Sequence, residues 1–165
     1  MNSTVKNILI MLVLSALIIS CAGIPPDYSE KPEFSFVEGK VWQLVAVRDP
    51  AKNIVLDRDA MENDGFGDYY TLQFLKQESV QIAGKASPNR YFGPYEQGEG
   101  RELLIPNVAS TMMASFADPV DLKEYDYFAY LGKVRSWNAS TDGQLELYTQ
   151  NADGEEVILV YYLAD

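Results

Sequence analysis

The sequence predicts an α+β protein that is mostly antiparallel β-sheet, and three observations predict it. Eleven tyrosines and seven phenylalanines accompany many β-branched residues, a composition that favours strands. Short runs of alternating apolar and polar residues are separated by turn residues, as in β-hairpins. A single segment instead repeats apolar residues at helical spacing. Because sheet edges must be protected, we expect a small curved sheet or barrel with one main inserted helix.

The strands are predicted from alternation and from the turn residues that separate them. In the first strand, 40–47, Trp42, Leu44 and Ala46 are predicted to share one face and three valines the other. The other predicted strands are 70–75, 80–84, 90–95, 103–105, 134–139, 144–149 and 155–163. Turns are predicted at 77–79, Asp142-Gly143 and Asp153-Gly154.

The helix is predicted just before the last three strands. Asp118 is a suitable N-cap, Pro119 suits the first helical position, and Gly132 ends the helix. Four apolar residues recur at about one helical turn and are predicted to face the core: Leu122, Tyr125, Phe128 and Leu131. The acidic, glycine-containing segment 57–68 is predicted to be a loop.

The N-terminus has the pattern of an export signal that ends at the only cysteine. Lys6 precedes an apolar run, 8–19, which is too short for a spanning helix of about 20 residues. The sequence Ile18-Ile19-Ser20-Cys21 then resembles the lipobox of bacterial lipoproteins. The resemblance implies a diacylglyceryl group on the Cys21 thiol and an acyl group on its new amine. No disulfide is available to a single cysteine.

The position of Cys21 divides the chain into three predicted parts. Residues 1–20 are the predicted signal peptide, 21–35 the lipidated cysteine with a flexible tether, and 36–165 the folded domain. Proline-rich composition before residue 35 favours an extended tether. Ala22 lacks the aspartate that retains some lipoproteins in the inner membrane, so we expect lipid anchoring in the outer membrane, on its periplasmic face or at the surface.

The net charge restricts the classes of molecule that the domain surface is expected to bind. The formal net charge is −11, and it becomes −12 without a signal whose only charged residue is Lys6. Nucleic acid and anionic lipid are bound through lysine and arginine, so neither is an expected partner of the domain surface. We expect membrane contact through the lipid anchor and a neutral or basic protein partner.

Residues for catalysis are scarce. The chain has no histidine, its thiol is predicted to be acylated, and no phosphate-binding glycine loop is present. We therefore expect no catalytic residue, no metal and no cofactor. Two alternatives stay open for the acidic segment, a carboxylate-based glycosidase or a calcium site, although its spacing does not match an EF-hand. Their candidate residues are Asp57, Asp59, Glu62, Asp64 and Asp68.

Four segments in order resemble the META/HslJ family over about residues 37–163. They are the "G-x-x-W-x-L" match at 39–44, Ile82-Ala83-Gly84 followed by the "N-x-Y-x-G-x-Y" match at 89–95, the "T-x-M-A" match at 111–114, and the helix 124–134. The resemblance implies envelope lipoproteins without an established enzymatic activity. Pro88 and Ser115 stand where members often have cysteine, so no redox role of those cysteines applies here.

The motif residues that the resemblance offers as binding candidates are Asn89, Tyr91, Gly93, Tyr95, Thr111 and Met112. We expect most of them to be structural. Asn89 suits a turn, Gly93 a positive φ or a bulge, and the two tyrosines a common packed face. Met112 and Met113 are expected to fill the core.

The sequence thus predicts a membrane-anchored envelope lipoprotein whose non-enzymatic META-type domain binds another envelope protein in assembly or stress response. The alternative is a small-ligand or lipid carrier that uses an apolar barrel cavity. A carrier requires a continuous cavity, whereas a protein-binding domain requires an exposed apolar patch or an open strand edge.

Overall fold

The computed structural model describes residues 31–76, 80–114 and 119–164. The predicted signal peptide, Cys21, most of the predicted tether, the turn 77–79 and the predicted cap Asp118 lie outside these residues. The described chain begins to pack at Phe34, whose ring contacts those of Phe74 and Trp137 at centroid distances of 5.1 and 4.9 Å.

The domain contains eleven described strands and two described α-helices, after a short 3-10 helix at Phe34–Phe36. The strands are β1 Val41–Arg48, β2 Asn53–Val55, β3 Thr71–Lys76, β4 Val80–Lys85, β5 Arg90–Pro94, β6 Glu96–Gln97, β7 Leu103–Leu104, β8 Ala109–Ser110, β9 Ser136–Ala139, β10 Gln144–Gln150 and β11 Glu156–Leu163. The helices are α1 Arg58–Asn63 and α2 Glu124–Leu131. The predicted α+β class is confirmed.

One curved, open sheet holds most of the strands. Its order is β8-β5-β4-β3-β1-β11-β10-β9, and β2 also pairs with β1. The paired strands are antiparallel throughout. A second sheet, β6 with β7, is joined to β9 by a single bridge between Glu102 and Ser136. The curved sheet therefore encloses a core on its inner side, against which α2 packs.

The core is aromatic. The largest fully buried side chains are Trp42, Tyr70, Tyr91, Tyr127, Tyr161, Phe74, Leu44, Leu72, Ile82, Leu103, Ile105 and Leu131. They come from both helix α2 and strands spread across the sheet. The predicted hairpin turns before β10 and β11 are confirmed, and Gly143 and Gly154 have φ of 92° and 81° there. Only glycine adopts such a backbone without steric cost.

A β-bulge in β1 changes the predicted faces. The register with β11 shifts between Leu44 and Ala46, because an extra residue in one strand rotates the following side chains. Trp42 and Leu44 face the core as predicted, but Val47 is then buried in place of Ala46. The prediction for Ala46 and Val47 was therefore wrong.

Helix α2 begins later than predicted and presents a different face. Its N-cap is Lys123, and the buried helical residues are Tyr127 and Leu131. Tyr125, predicted to face the core, is 80% exposed. Leu122 is buried as predicted but precedes the helix, because its carbonyl accepts a hydrogen bond from the Tyr70 hydroxyl. This tertiary bond holds Leu122 outside the helix, so the helical face starts from a different residue.

The acidic segment 57–68 is not only a loop, which corrects the prediction. Helix α1 forms within it, with the Asp57 carboxylate accepting a hydrogen bond from the Ala60 amide at 3.0 Å. Met61 is the buried residue of α1. Arg58 then donates to the carbonyls of Gly67 and Tyr69 and fixes the rest of the segment. One buried apolar residue is too little periodicity to reveal a helix in sequence.

A chain of three buried hydroxyls links α2 to the sheet. The Tyr91 hydroxyl donates to the Thr71 carbonyl at 2.7 Å. The Tyr127 hydroxyl lies 3.0 Å from that of Tyr91 and 3.1 Å from that of Tyr161. Since each hydroxyl has one proton, Tyr127 donates to Tyr91, and Tyr161 donates to Tyr127. Gly84 leaves the space, because a Cβ there would lie 2.6 Å from the Tyr91 hydroxyl.

The direction of this chain predicts unequal costs for its members. Tyr127→Phe leaves the Tyr161 proton without an acceptor and should lower the free energy of unfolding by about 1–3 kcal/mol. Tyr161→Phe removes only the terminal donor and should cost about 0.5–1.5 kcal/mol. Urea denaturation measures both. A Tyr161→Phe protein less stable than Tyr127→Phe would contradict the assigned direction.

The same tyrosines predict unfolding in alkali. Burial raises the pKa of Tyr127 to about 12, and burial also raises the pKa values of Tyr91 and Tyr161. The unfolded chain releases these protons near pH 10. Their contribution to stability is therefore complete below about pH 10 and is lost as the pH rises through the folded-state values. Circular dichroism should decline above about pH 10 together with a cooperative rise in tyrosinate absorbance; tyrosinate formation with an unchanged fold would contradict this.

Candidate functional site

The motif asparagine Asn89 is buried, with 4% of its surface exposed, and uses all its polar side-chain atoms. Its amide nitrogen donates to Glu124 Oε2 at 2.7 Å and to the Met113 carbonyl at 3.2 Å. Its Oδ1 accepts from the Thr111 hydroxyl at 2.8 Å and from the Met113 amide at 2.7 Å. The Asn89 backbone amide also donates to Glu124 Oε1 at 2.9 Å. The side chain is thus a hub with no vacant hydrogen-bonding atom.

This hub joins three segments that are distant in sequence. Asn89 immediately precedes β5, Thr111 and Met113 follow β8, and Glu124 is the first residue of α2. Lys123 makes no side-chain cap hydrogen bond, so the Glu124 side chain attaches the first turn of α2 to Asn89. The predicted motif residues Asn89 and Thr111 are therefore brought together, and Glu124, which the sequence did not single out as a site residue, completes their contact.

Three other motif residues line the inner face of β5 or its continuation. Tyr91 and Tyr95 are both buried there, as their spacing predicts. The Tyr95 hydroxyl donates to Glu38 Oε1 at 3.0 Å. Gly93 is not among the residues with positive φ. The register of β5 with β4 is also regular there, so the prediction of a positive φ or a bulge at Gly93 was wrong. Glycine is required instead because a Cβ would lie 2.0 Å from the Asn107 carbonyl.

The two methionines are at the surface, which contradicts the prediction that they fill the core. Met112 is 99% exposed and Met113 is 63% exposed. Asn89 binds the backbone of Met113, in the segment that follows the edge strand β8. Phe92, directly opposite Ala109 of β8, is also 55% exposed. We call the exposed apolar side chains near this edge, Phe92, Met112 and Met113, the β8 surface.

Comparison with known families identifies the family of the chain. The META domain family matches residues 28–161, nearly the whole described domain. The chain belongs to the META domain family. No curated protein sequence matches it. A solved protein structure from Burkholderia xenovorans is similar in fold, with a TM-score of 0.59 and 15% identity. The similarity covers 86% of this chain and 97% of that chain.

Outside the motif, the META domain contains a second polar cluster that sequence analysis missed. The buried carboxylate of Glu146 accepts hydrogen bonds from Arg48 at 3.2 Å, Gln144 at 3.1 Å and Tyr148 at 2.8 Å. Burial and the hydrogen bond to Glu146 raise the pKa of Tyr148 to about 12. Sequence analysis placed Gln144, Glu146 and Tyr148 only within the predicted strand 144–149. Because three donors satisfy the carboxylate, this cluster stabilises the outer face of the META sheet.

Two of the acidic residues near α1 have structural partners. Asp57 caps the helix, and Asp68 pairs with Lys85 at 2.7 Å. Within 31–76, 80–114 and 119–164, no group of three or more His, Cys, Asp or Glu residues is placed to hold a metal ion. Within those same ranges, no helix is long and apolar enough to cross a bilayer.

Grooves on the META domain lie at its surface. One groove of about 490 Å³ runs over the outer face of β1, β3, β4 and β5, beside Val41, Gln73, Arg90 and Phe92. Another, of about 410 Å³, lies between α2 and the turns before β2 and β11, beside Tyr125 and Tyr130. The inner side of the sheet is filled by the aromatic core.

Asn89 offers a direct test of the hub. Asn89→Ala leaves the Thr111 hydroxyl and the Met113 amide without their partner, and we expect a loss of about 2 kcal/mol in the free energy of unfolding. Asn89→Asp removes the amide protons that Glu124 and the Met113 carbonyl accept and places a second carboxylate beside Glu124, so it should also be destabilised at neutral pH. Urea denaturation measures both variants.

The control variant is Asn107→Ala, whose side chain is exposed. It should leave the free energy of unfolding within about 0.5 kcal/mol of the original protein. Equal stability of Asn89→Ala and Asn107→Ala would show that the hub contributes nothing.

Proposed function

We propose that this META protein is an envelope lipoprotein, anchored through acyl chains on Cys21, whose domain binds another envelope protein without catalysing a reaction. The signal-like N-terminus and the lipobox resemblance support the anchor. Membership of the META family supports the envelope setting.

The observation that carries the protein-binding proposal is the β8 surface. Large apolar side chains are scattered over most protein surfaces, but Met112 and Met113 are adjacent and more than half exposed. Exposed apolar clusters typically mark interaction sites. Methionine suits such a surface because its flexible, polarisable side chain adapts to different partners. The β8 surface is thus the best-supported contact region for a protein.

The interior favours protein binding over the lipid-carrier alternative. A carrier would need an apolar cavity between sheet and helix. That space is occupied by Trp42, Tyr70, Tyr91, Tyr127 and other fully buried side chains. The tyrosine rings there pack edge to face, with Tyr127 centroids 5.4 Å from Tyr70 and 5.8 Å from Tyr91. An acyl chain would have to displace these contacts.

Anchoring would give this surface its physical advantage. A protein confined to one membrane meets other proteins of that membrane at a raised effective concentration. A small interface such as the β8 surface can then be adequate, although it would bind weakly in free solution. Anchor and surface together therefore define the proposed function.

The proposal is tested by crosslinking in cells, read by mass spectrometry. We expect the original protein to fractionate with membranes, to carry acyl chains on Cys21, and to capture one specific envelope protein. Cys21→Ala should abolish acylation and membrane fractionation and strongly reduce capture, because the anchor supplies the local concentration.

A second pair of variants tests the surface. Met112→Lys with Met113→Lys should lose the captured protein, because it replaces the apolar contact with charge. Val55→Lys is the matched control, since Val55 is exposed on β2, away from β8. Capture that is equal in all variants, or a wild-type protein without acyl chains, would refute the proposal.

A further inference from the structure

The edge strand β8 and the segment after it have no charged residue or proline to protect the edge. Residues 107–114 read Asn-Val-Ala-Ser-Thr-Met-Met-Ala, with no charged residue. All of them are exposed except Val108, which is half-buried. Natural proteins usually guard an edge strand with charges, prolines or bulges, or by keeping it very short, because its backbone can pair with another strand. The paired part of this edge, Ala109–Ser110, is short, but no charge or proline guards residues 107–114.

The edge is nevertheless held extended. Ala109 and Ser110 pair with β5, and the Thr111 amide donates to the Arg90 carbonyl at 3.0 Å. Beyond it, Asn89 binds the Thr111 hydroxyl and both backbone groups of Met113. A segment that is fixed before binding loses little conformational entropy when a partner arrives. The edge is therefore pre-organised as well as exposed.

The backbone of Ser110 points away from the sheet. In an antiparallel pair the backbone groups of successive residues point alternately toward and away from the neighbouring strand. The Thr111 amide points toward β5, so the Ser110 amide and carbonyl point outward. In the part of the chain that the structure describes, no strand pairs with that side of β8. An added strand would find a donor and an acceptor there.

We propose that β8 binds its partner by strand addition, with an extended segment of the partner pairing along residues 108–112. This rests on the proposed function and specifies its contact. The paired residues of the partner are uncharged, because an ion placed against this uncharged edge would be desolvated without a counter-charge. Lysine or arginine flanks the paired residues, since the chain has a net charge of −11.

This occupant fits better than a second copy or a membrane. Two copies would bring together two strongly negative chains, which opposes their association. A membrane would cover Met112 and Met113 but would leave the outward backbone groups of Ser110 without hydrogen bonds. Both are nevertheless distinguishable outcomes of the test.

The probe is a synthetic peptide in which valine and threonine alternate between terminal lysines. We expect the full mature protein to bind it in fluorescence anisotropy, with the Ser110 amide becoming protected from hydrogen exchange. Ser110→Pro removes the outward donor while keeping the inward pairing of Ala109 and Thr111, and should weaken binding about tenfold or more. Ser110→Ala keeps the backbone donor and should bind as the original protein does.

A second probe tests strand addition without requiring the Ser110→Pro variant to fold. The same peptide with N-methyl groups on alternate residues cannot pair through that edge and should not bind the unmodified protein. Equal binding of both peptides, equal binding by Ser110→Pro, or no binding at millimolar peptide would overturn strand addition. Concentration-dependent dimerisation that is lost in Ser110→Pro would assign the edge to a second copy, and vesicle binding that depends on Met112 would assign it to a membrane.

The experiments distinguish a failure of strand addition from a failure of the proposed function. If crosslinking in cells captures a specific protein and Ser110→Pro captures it equally, the strand-addition mode is wrong while the proposed function stands. If no protein is captured but the peptide binds as expected, the edge is competent and the proposed function is wrong.

Discussion

The hydrogen bonds of Asn89 are the constraint on which the rest of the structure depends. One amide side chain fixes the start of β5, the segment after β8 and the first turn of α2. Helix α2 in turn carries Tyr127, the middle hydroxyl of the chain that connects the helix to β5 and β11. The Asn89 hub and the buried chain of tyrosine hydroxyls therefore determine together where α2 lies on the curved sheet. The same hydrogen bonds hold the backbone on both sides of Met112. The position of α2 and the exposure of Met112 and Met113 therefore have one cause.

Sequence periodicity was sufficient for the longer strands because they obey alternation, but it missed the short strands β2, β6 and β8. The strands β3, β4, β5, β10 and β11 begin and end within one or two residues of the predicted bounds. Alternation could not reveal the bulge in β1, since an extra residue changes faces without changing composition. It also missed α1, where a single buried methionine gives no helical pattern. The start of α2 was missed because the Tyr70 hydroxyl binds the Leu122 carbonyl, a tertiary contact that no local signal records.

The candidate site was predictable in part. Family resemblance singled out Asn89, Tyr91 and Thr111, and these residues do converge on contacts that hold the fold. The exposure of the methionines was not predictable, because side-chain type alone favours burial. Glu124 was missed because a first-turn acid is usually explained by the helix dipole. Its two carboxylate oxygens instead bind the backbone and the side chain of one asparagine.

The pairing of β1 with β11 has a consequence for the order in which the domain folds. Trp42 lies opposite Leu163, so the middle of the sheet joins the two ends of the domain. Contacts between such distant residues form slowly, since a long loop must close before they contribute. A nascent domain cannot assemble its central strands until almost its last residue has been synthesised. Until β11 is available, the part of the sheet that ends at β1 cannot join the part formed by β10 and β9.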